Sequence, residues 1–433
     1  TERNKRVNSV YGTATLSYAN KIFLDVTGRN DWSSTLPSGN NSFFYPSVST
    51  SFILSDLLRL PEQISFAKLR ASWAQVGNDT APYKTAKYYN TSAFPGSASV
   101  SSTLYNARFK PEISNSIEVG LDWRMFKQRF GLDLAFYNNI TRNQILDVPM
   151  DQTTGYTKAT MNSGKVRNRG IELQLDGTPV KTKNFTWNST FTWAKNYNKV
   201  LSLAAGLTDG QTIAYTGGTN CALIAKVGGS IGDIYVNSVK KDGNGYVYVN
   251  PNTLSMMVDN ENLIYAGNTN PDCSLGFNNT FSYKGFTLSF LIDARIGGKV
   301  VSATQAVLDS FGASEQSAKA RDNGGVLVNG VLMDAETYYT QMGAGTGVLS
   351  NYVYDATNIR LREASLSYRF KPLFKNFVKD LTLSVTGRNL FMIYNKAPFD
   401  PQLTSSVGTF YQGIDYFLMP SLRSFGVSLK FTL

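Results

Sequence analysis

The sequence predicts an all-β chain forming a transmembrane antiparallel β-barrel wall, about thirteen strands of a larger barrel. Three observations carry that prediction: sustained alternation of apolar and polar residues, short turns alternating with long connections, and a composition rich in aromatics and glycine. Of 433 residues, 24 are Tyr, 26 are Phe and 36 are Gly, while charged residues make up only 17%. That mixture favours strands and turns over helices. No window approaches eighteen consecutive apolar residues, so an α-helical span is excluded. Mean hydropathy is −0.20, as for a soluble protein. A barrel strand averages to the same value, because each lipid-facing apolar residue is followed by a polar one facing the lumen.

The strands follow in order. The first is read near 7–19. At 115–125, Ile117, Val119, Leu121 and Trp123 alternate with Ser116, Glu118, Gly120 and Asp122. At 130–137, Phe130, Leu132, Leu134 and Phe136 alternate with Gly131, Asp133, Ala135 and Tyr137. Ile171, Leu173 and Leu175 form a further face, as do Phe185, Trp187, Phe191 and Trp193, then Phe286, Leu288, Phe290 and Ile292, and Leu381, Leu383 and Val385. Phe425, Val427, Leu429 and Phe431 close the chain in a strand at 421–433. A period of two is the mark of a strand with one buried face. Strands of roughly nine to thirteen residues match the length of a tilted transmembrane strand.

Short polar turns are predicted at 20–21, 127–129, 181–184 and 284–285. Long loops are predicted near 31–46, 77–114, 143–166, 197–273, 296–357 and 391–420. Such alternation places all long loops on one side, as in outer-membrane barrels with short periplasmic turns. Phe126, Phe130, Tyr283 and Phe286 bracket two short turns and are candidates for an aromatic membrane girdle; in a soluble β-sandwich they would be hairpin packing. With thirteen strands and the last ending on the periplasmic side, the first starts on the outside. Barrels of this kind have even strand numbers, so at least one strand is expected before Thr1, and the chain reads as N-terminally incomplete.

The net charge of +11 admits nucleic acid or an anionic membrane surface as partner. The basic residues are scattered without a recognised reader fold, which argues against nucleic acid. The chain has no histidine, which removes Ser-His-Asp catalysis and His-ligated zinc. No phosphate-binding loop, dinucleotide fingerprint or nucleophile elbow is present, so neither an enzyme nor a cofactor is expected. Cys221 and Cys273 lack metal-ligand spacing, and whether they are bonded stays open. Asp242 to Gly245 resembles part of a calcium loop but lacks its remaining ligands, so a hairpin turn within 236–250 is expected. The sequence VTGRN occurs at 26–30 and 385–389, read as a strand-end feature with Gly at a kink or bulge. Glu118, Asp122 and Glu172 read as lumen-wall residues facing water. Tyr83, Tyr88, Tyr89, Tyr105 and Tyr411 lie in predicted loops, where tyrosines stack on sugars or other apolar ligand faces or pack on one another.

Several runs together resemble the SusC/RagA-like TonB-dependent outer-membrane transporters: FLDVTGRNDWSS at 23–34, YPSVS at 45–49, KLRASWAQVGN at 68–78, NSG at 162–164, NRGIE at 168–172, GRNLF at 387–391, DP at 400–401 and PSLRS at 420–424. The resemblance runs through nearly the whole chain. It implies a Gram-negative outer-membrane location, a 22-stranded barrel filled by an N-terminal plug, and a SusD-like surface lipoprotein closing the outer mouth. It further implies import of oligosaccharides or peptides, with energy from the TonB complex through a box upstream of the plug. This sequence departs from the pattern in showing no plug, no TonB box and no early strands, and in ending on Leu433 rather than an aromatic. On the resemblance, residues 1–433 correspond to the C-terminal portion of the barrel. The alternatives are a non-transporting barrel, either adhesin or passive pore, and a soluble sugar-binding β-protein.

Overall fold

The computed structural model describes residues 3–91, 96–203, 211–215, 220–253, 255–344, 347–370, 380–403 and 413–432. Its main sheet has thirteen strands in unbroken chain order. They are β1 (Val7–Tyr18), β2 (Ile22–Ser33), β3 (Ser42–Ile53), β4 (Ile64–Asn78), β5 (Glu112–Met125), β6 (Phe130–Arg142), β7 (Lys165–Lys181), β8 (Phe185–Ser202), β9 (Cys273–Tyr283), β10 (Phe286–Ile296), β11 (Asn358–Phe370), β12 (Asp380–Asn395) and β13 (Ser424–Thr432). The strand count and the antiparallel meander are those predicted. Lengths differ: β7 and β8 reach 17 and 18 residues, well beyond nine to thirteen.

The chain forms two compact units. In the first, β1 to β8 pair in continuous antiparallel register with local shifts at Ile64/Phe66 and near both ends of β7. Turns at 19–21, 126–129 and 182–184 are short because residues such as Asn20 and Lys127 adopt φ of 56° and 55°, left-handed conformations that reverse the chain tightly. Phe126, with φ of 54°, lies in its turn rather than at the strand end. The first long loop is shorter than predicted. Residues 31–33 and 42–46 belong to β2 and β3, so the connection 34–41 is no longer than 54–63, which carries one helical turn, Leu54–Leu57. The contrast between short and long holds from 79–111 onward.

These long connections have their own structure. Short strands Thr103–Leu104, Ile145–Pro149 and Lys158–Asn162 make a three-stranded sheet. A small core of Leu36, Phe43 and Phe109, with Tyr45 and Ile145 against it, draws three connections together. Phe109 is fully buried, and that burial contributes about 2–3 kcal/mol relative to exposure.

In the second unit, the sheet order continues through β10, β11, β12 and β13. The connection between β8 and β9 contains strands Gln211–Tyr215, Cys221–Ala225, Asp233–Val239 and Val258–Asn268 in one four-stranded sheet. The connection between β10 and β11 contains three helices, α1 (Ala303–Ser310), α2 (Glu315–Asp322) and α3 (Ala335–Met342). A composition favouring strands gave no hint of them. Their start signals are nonetheless written locally: Ser302, Ser314 and Asp334 each accept a hydrogen bond from the backbone amide three residues on, as helix N-caps do. Met256, Val328, Met342 and Val348 form the core that holds sheet and helices together.

Candidate functional site: the loop-bearing rim and the polar wall

Within the first unit the polar face of the sheet carries cross-strand ion pairs. Arg70 on β4 reaches Asp133 on β6 at 3.1 Å and Glu118 on β5 at 3.6 Å. Arg124 on β5 reaches Asp122 at 2.8 Å and Asp176 on β7 at 3.2 Å. The arginines can lie flat across their neighbours because those neighbours are glycines. A Cβ at Gly120 would stand 2.4 Å from Arg70 Nε, and one at Gly131 would stand 2.1 Å from an Arg124 terminal nitrogen. Glu118 and Asp122 therefore have the partners that sequence reading did not find. The pairing depends on register, which alternation alone does not set. The opposite face is apolar and exposed, with Ile117 at 52%, Phe136 at 47% and Val119 at 42%.

At the loop-bearing end of the first unit, Asp31 accepts hydrogen bonds from Arg29 at 2.8 Å and from the Tyr45 hydroxyl. Ser33 donates to Asp79, which also pairs with Lys5. Burial pushes the Asp79 carboxyl up, but hydrogen bonds from Lys5 and Ser33 outweigh it and hold the group below the ordinary carboxylate range. Gly77 faces the ring of Phe43, where a Cβ would stand 2.3 Å away. Residues 23–34, 45–49 and 68–78 thus meet in one cluster.

A second cluster lies at the corresponding end of β11 and β12. Arg360, buried, donates to Asp400 at 2.7 Å and to Asn358. Ser421 donates to the same carboxylate at 2.7 Å. Burial raises the Asp400 carboxyl, and the bonds from Arg360, Ser421 and the Gln402 amide together bring it below the usual range. Arg362 donates to Asp293 at 2.6 Å, to Gln402 at 2.7 Å and to Asn389 at 3.2 Å. Asn389 also donates to the Leu422 carbonyl. The bonds from Arg360, Arg362 and Asn389 fasten the connection 396–423 to the sheet, and the Ser421–Asp400 bond ties its two ends to each other.

The two VTGRN copies are not alike. The first lies inside β2 in continuous register. In the second, the register shifts between Leu361 and Glu363, opposite Asn389, which has φ of 52°. The bulge therefore sits at Asn389, not at glycine, and β12 continues to Asn395. What the copies share is a phenyl ring from an adjacent strand over the glycine: Phe44 lies 3.1 Å from a Cβ at Gly28, and Phe425 lies 3.2 Å from one at Gly387.

Farther out, the fully buried Asn237 donates to the Gly347 carbonyl at 2.8 Å and accepts from the Leu349 amide at 2.8 Å. Asp309 accepts from Tyr352 at 2.9 Å and from Gln305 at 2.9 Å. Burial and the Asp309 charge push the Tyr352 hydroxyl far above its ordinary value and Tyr354 up to about 12. Asp242 accepts from the amides of Asn244 and Tyr246 and makes the expected hairpin turn. Cys221 and Cys273 form no disulfide.

Of the loop tyrosines, Tyr83 and Tyr88 are brought together edge to face, ring centroids 5.7 Å apart. Tyr89 is 76% exposed and Tyr105 is half-buried. Lys87 lies over Tyr156, a residue sequence reading passed over. Tyr411 lies outside the described residues. Phe126, Phe130, Tyr283 and Phe286 are all exposed, and Phe286 also packs on Tyr368 at 4.4 Å.

The family model for the TonB-dependent receptor-like β-barrel matches residues 1–390. The chain belongs to that family. TonB-dependent receptor P3 of Formosa agariphila is 25% identical over 482 residues, covering 98% of this chain and 45% of that protein. TonB-dependent receptor SusC of Bacteroides thetaiotaomicron is 24% identical over 461 residues, covering 98% and 43%. The structure of the RagAB peptide transporter superposes with a TM-score of 0.73 at 19% identity, covering 98% of this chain and 47% of that one, which establishes likeness of fold. The chain spans less than half the length of the curated relatives it matches. Relatives and fold both bear out the SusC/RagA-like reading.

Proposed function

We propose that this chain is the C-terminal barrel wall, residues 1–433, of an energy-coupled outer-membrane importer of the SusC kind. The observation that carries the reading is the division of the sheet. One face is apolar and exposed, the other holds bridged charges, and the long folded connections lie at the strand ends opposite the short turns. A wall of this kind encloses a polar lumen within lipid, and its connections are the natural place for selectivity. SusC among the relatives and the RagAB peptide importer among the similar folds support a SusD-like lipoprotein partner, TonB coupling and an oligosaccharide or peptide substrate. In this reading Tyr83 and Tyr88 offer a stacking surface, with Tyr89 and Tyr105 nearby in sequence and Tyr411 in the last long connection. Phe126, Phe130, Tyr283 and Phe286 mark the periplasmic membrane boundary.

The test is uptake in the native host. Deletion of the gene is expected to abolish accumulation of one labelled oligosaccharide or peptide pool, and a protonophore to abolish it in the wild type. Uptake that survives the protonophore would identify a passive pore. Unchanged uptake of every such substrate after deletion would identify a non-transporting barrel.

A further inference from the structure

Within the second unit, a cavity of about 210 Å³ lies among α1, α2 and α3, and Asp309, Phe311, Arg321, Glu336 and Tyr339 contribute to its lining. Arg321 comes from α2, while Glu336 and Tyr339, three residues apart, share one face of α3, as the helical period dictates. Asp309 is the buried member, 1% exposed. Its two carboxylate oxygens accept from Gln305 and Tyr352, each at 2.9 Å, and both donors are neutral. A buried carboxylate is ordinarily matched by a cation. Among the described residues no Lys or Arg pairs with Asp309 or with the exposed Glu336. Lys319 is held by Glu315 at 2.5 Å, and Arg321 donates to the Gly312 carbonyl at 2.9 Å. The uncompensated charge is felt nearby: burial and then the charge of Asp309 push the Tyr339 hydroxyl above its ordinary value. In a chain of net charge +11, residues 303–342 carry five acidic and two basic side chains. Phe311 is 82% exposed, an apolar ring left in water beside these polar groups.

The missing charge is positive, and the size of the cavity limits what carries it. Sites that enclose a drug-sized molecule have roughly 300–1,000 Å³, so this one receives a single residue of an oligomer. A metal ion needs several free oxygen ligands. Both Asp309 oxygens are occupied, and among the described residues no group of three or more metal-ligating side chains occurs. A primary ammonium needs less: a carboxylate to accept its hydrogens, here Glu336, a fixed negative charge nearby, and an aromatic ring such as Tyr339. The remaining N–H groups of Arg321 suit a carbonyl oxygen next to that ammonium, and the Phe311 ring suits an apolar side chain. Ammonium, carbonyl and side chain within one residue make up the amino terminus of a peptide.

We propose that the cavity among α1, α2 and α3 binds the amino-terminal residue of an oligopeptide, with Glu336 accepting from the ammonium, Asp309 supplying the fixed charge and Phe311 covering the side chain. That the bound peptide is cargo rests on the importer reading above. Full-length protein purified in detergent is titrated by calorimetry with trileucine, N-acetyltrileucine and the glucosamine trimer. Trileucine is expected to bind at least about tenfold more tightly than its acetylated form, which has no ammonium. Glu336→Gln is expected to lose about tenfold for trileucine and nothing for the acetylated peptide, while Glu336→Asp, which keeps the charge, stays within about threefold. Phe311→Ala is expected to lose about fivefold. Glu336 and Phe311 are both exposed, so these variants keep the fold. Equal affinity for the two peptides, or trileucine binding unchanged in Glu336→Gln, would overturn the proposal. Tighter binding of the glucosamine trimer would also overturn it, assigning the cavity to amino sugars. The expected discrimination in a protein whose gene deletion leaves trileucine uptake unchanged would uphold the site and contradict its part in import.

Discussion

Asp400→Ala removes the centre of the cluster that fastens the last long connection. Arg360 is left with a side chain only 4% exposed, opposite a carboxylate that was 12% exposed and 2.7 Å away. Ser421 and the Gln402 amide lose their acceptor as well. Removing one partner of a buried ion pair costs about 3–5 kcal/mol, because the other charge stays buried and uncompensated. The connection 396–423 is expected to open locally rather than with the whole sheet. At 3 kcal/mol the open population rises roughly a hundredfold, and cleavage there by a dilute protease rises with it. The double variant Arg360→Met with Asp400→Leu removes both charges and is expected to be far less sensitive than Asp400→Ala. The pH dependence has a definite sign. The folded carboxyl titrates below its unfolded value, so its contribution is complete above about pH 4 and is lost as pH falls through the folded pKa. Cleavage at the wild-type rate in Asp400→Ala, or a double variant as labile as the single one, would refute the argument.

Other perturbations probe different parts. Gly120→Ala is expected to swing Arg70 off Asp133 and lower stability toward urea by about 1 kcal/mol, with no further loss when Arg70→Ala is added; additive losses would show that the glycine acts otherwise. Asn237→Leu leaves the Leu349 amide without its acceptor and should destabilise the four-stranded sheet by about 2–3 kcal/mol, read as faster hydrogen exchange at Leu349. Tyr352 and Tyr354 titrate above the ordinary tyrosine value, so their contribution is complete below about pH 10 and lost as pH rises through the folded pKa. Tyr352→Phe should flatten the alkaline loosening of α1 to α3 measured by proteolysis, and an unchanged profile would contradict this.

The wall was legible because its signal is local. Alternation in Phe130 to Tyr137 or Phe425 to Phe431 needs no partner to be seen. The clusters were half legible: GRNLF, DP and PSLRS were visible as runs, but their meeting at Arg360 and Arg362 is a property of tertiary folding. The bulge at Asn389 was misplaced onto glycine because Asn also adopts left-handed backbone, and only the register reveals which residue does so. Bridging by Arg70 and Arg124 escaped notice because it depends on which glycine lies beside which arginine. The helices escaped because Ser302, Ser314 and Asp334 fall within 296–357, which was read as one long loop. Of the candidate loop tyrosines, Tyr83 and Tyr88 meet, a pairing the sequence could not show because loops carry no periodicity from which neighbours can be inferred.

A membrane-spanning wall must turn one face of its sheet to lipid and the other to water. In full-length protein reconstituted in bilayers, with Cys221 and Cys273 replaced by serine, a nitroxide is placed at successive positions from Leu132 to Tyr137 on β6. Its relaxation by oxygen, which concentrates in lipid, and by a water-soluble nickel chelate is then recorded. Oxygen maxima are expected at 132, 134 and 136 and nickel maxima at 133, 135 and 137. Equal nickel access on both faces would contradict a membrane-spanning wall.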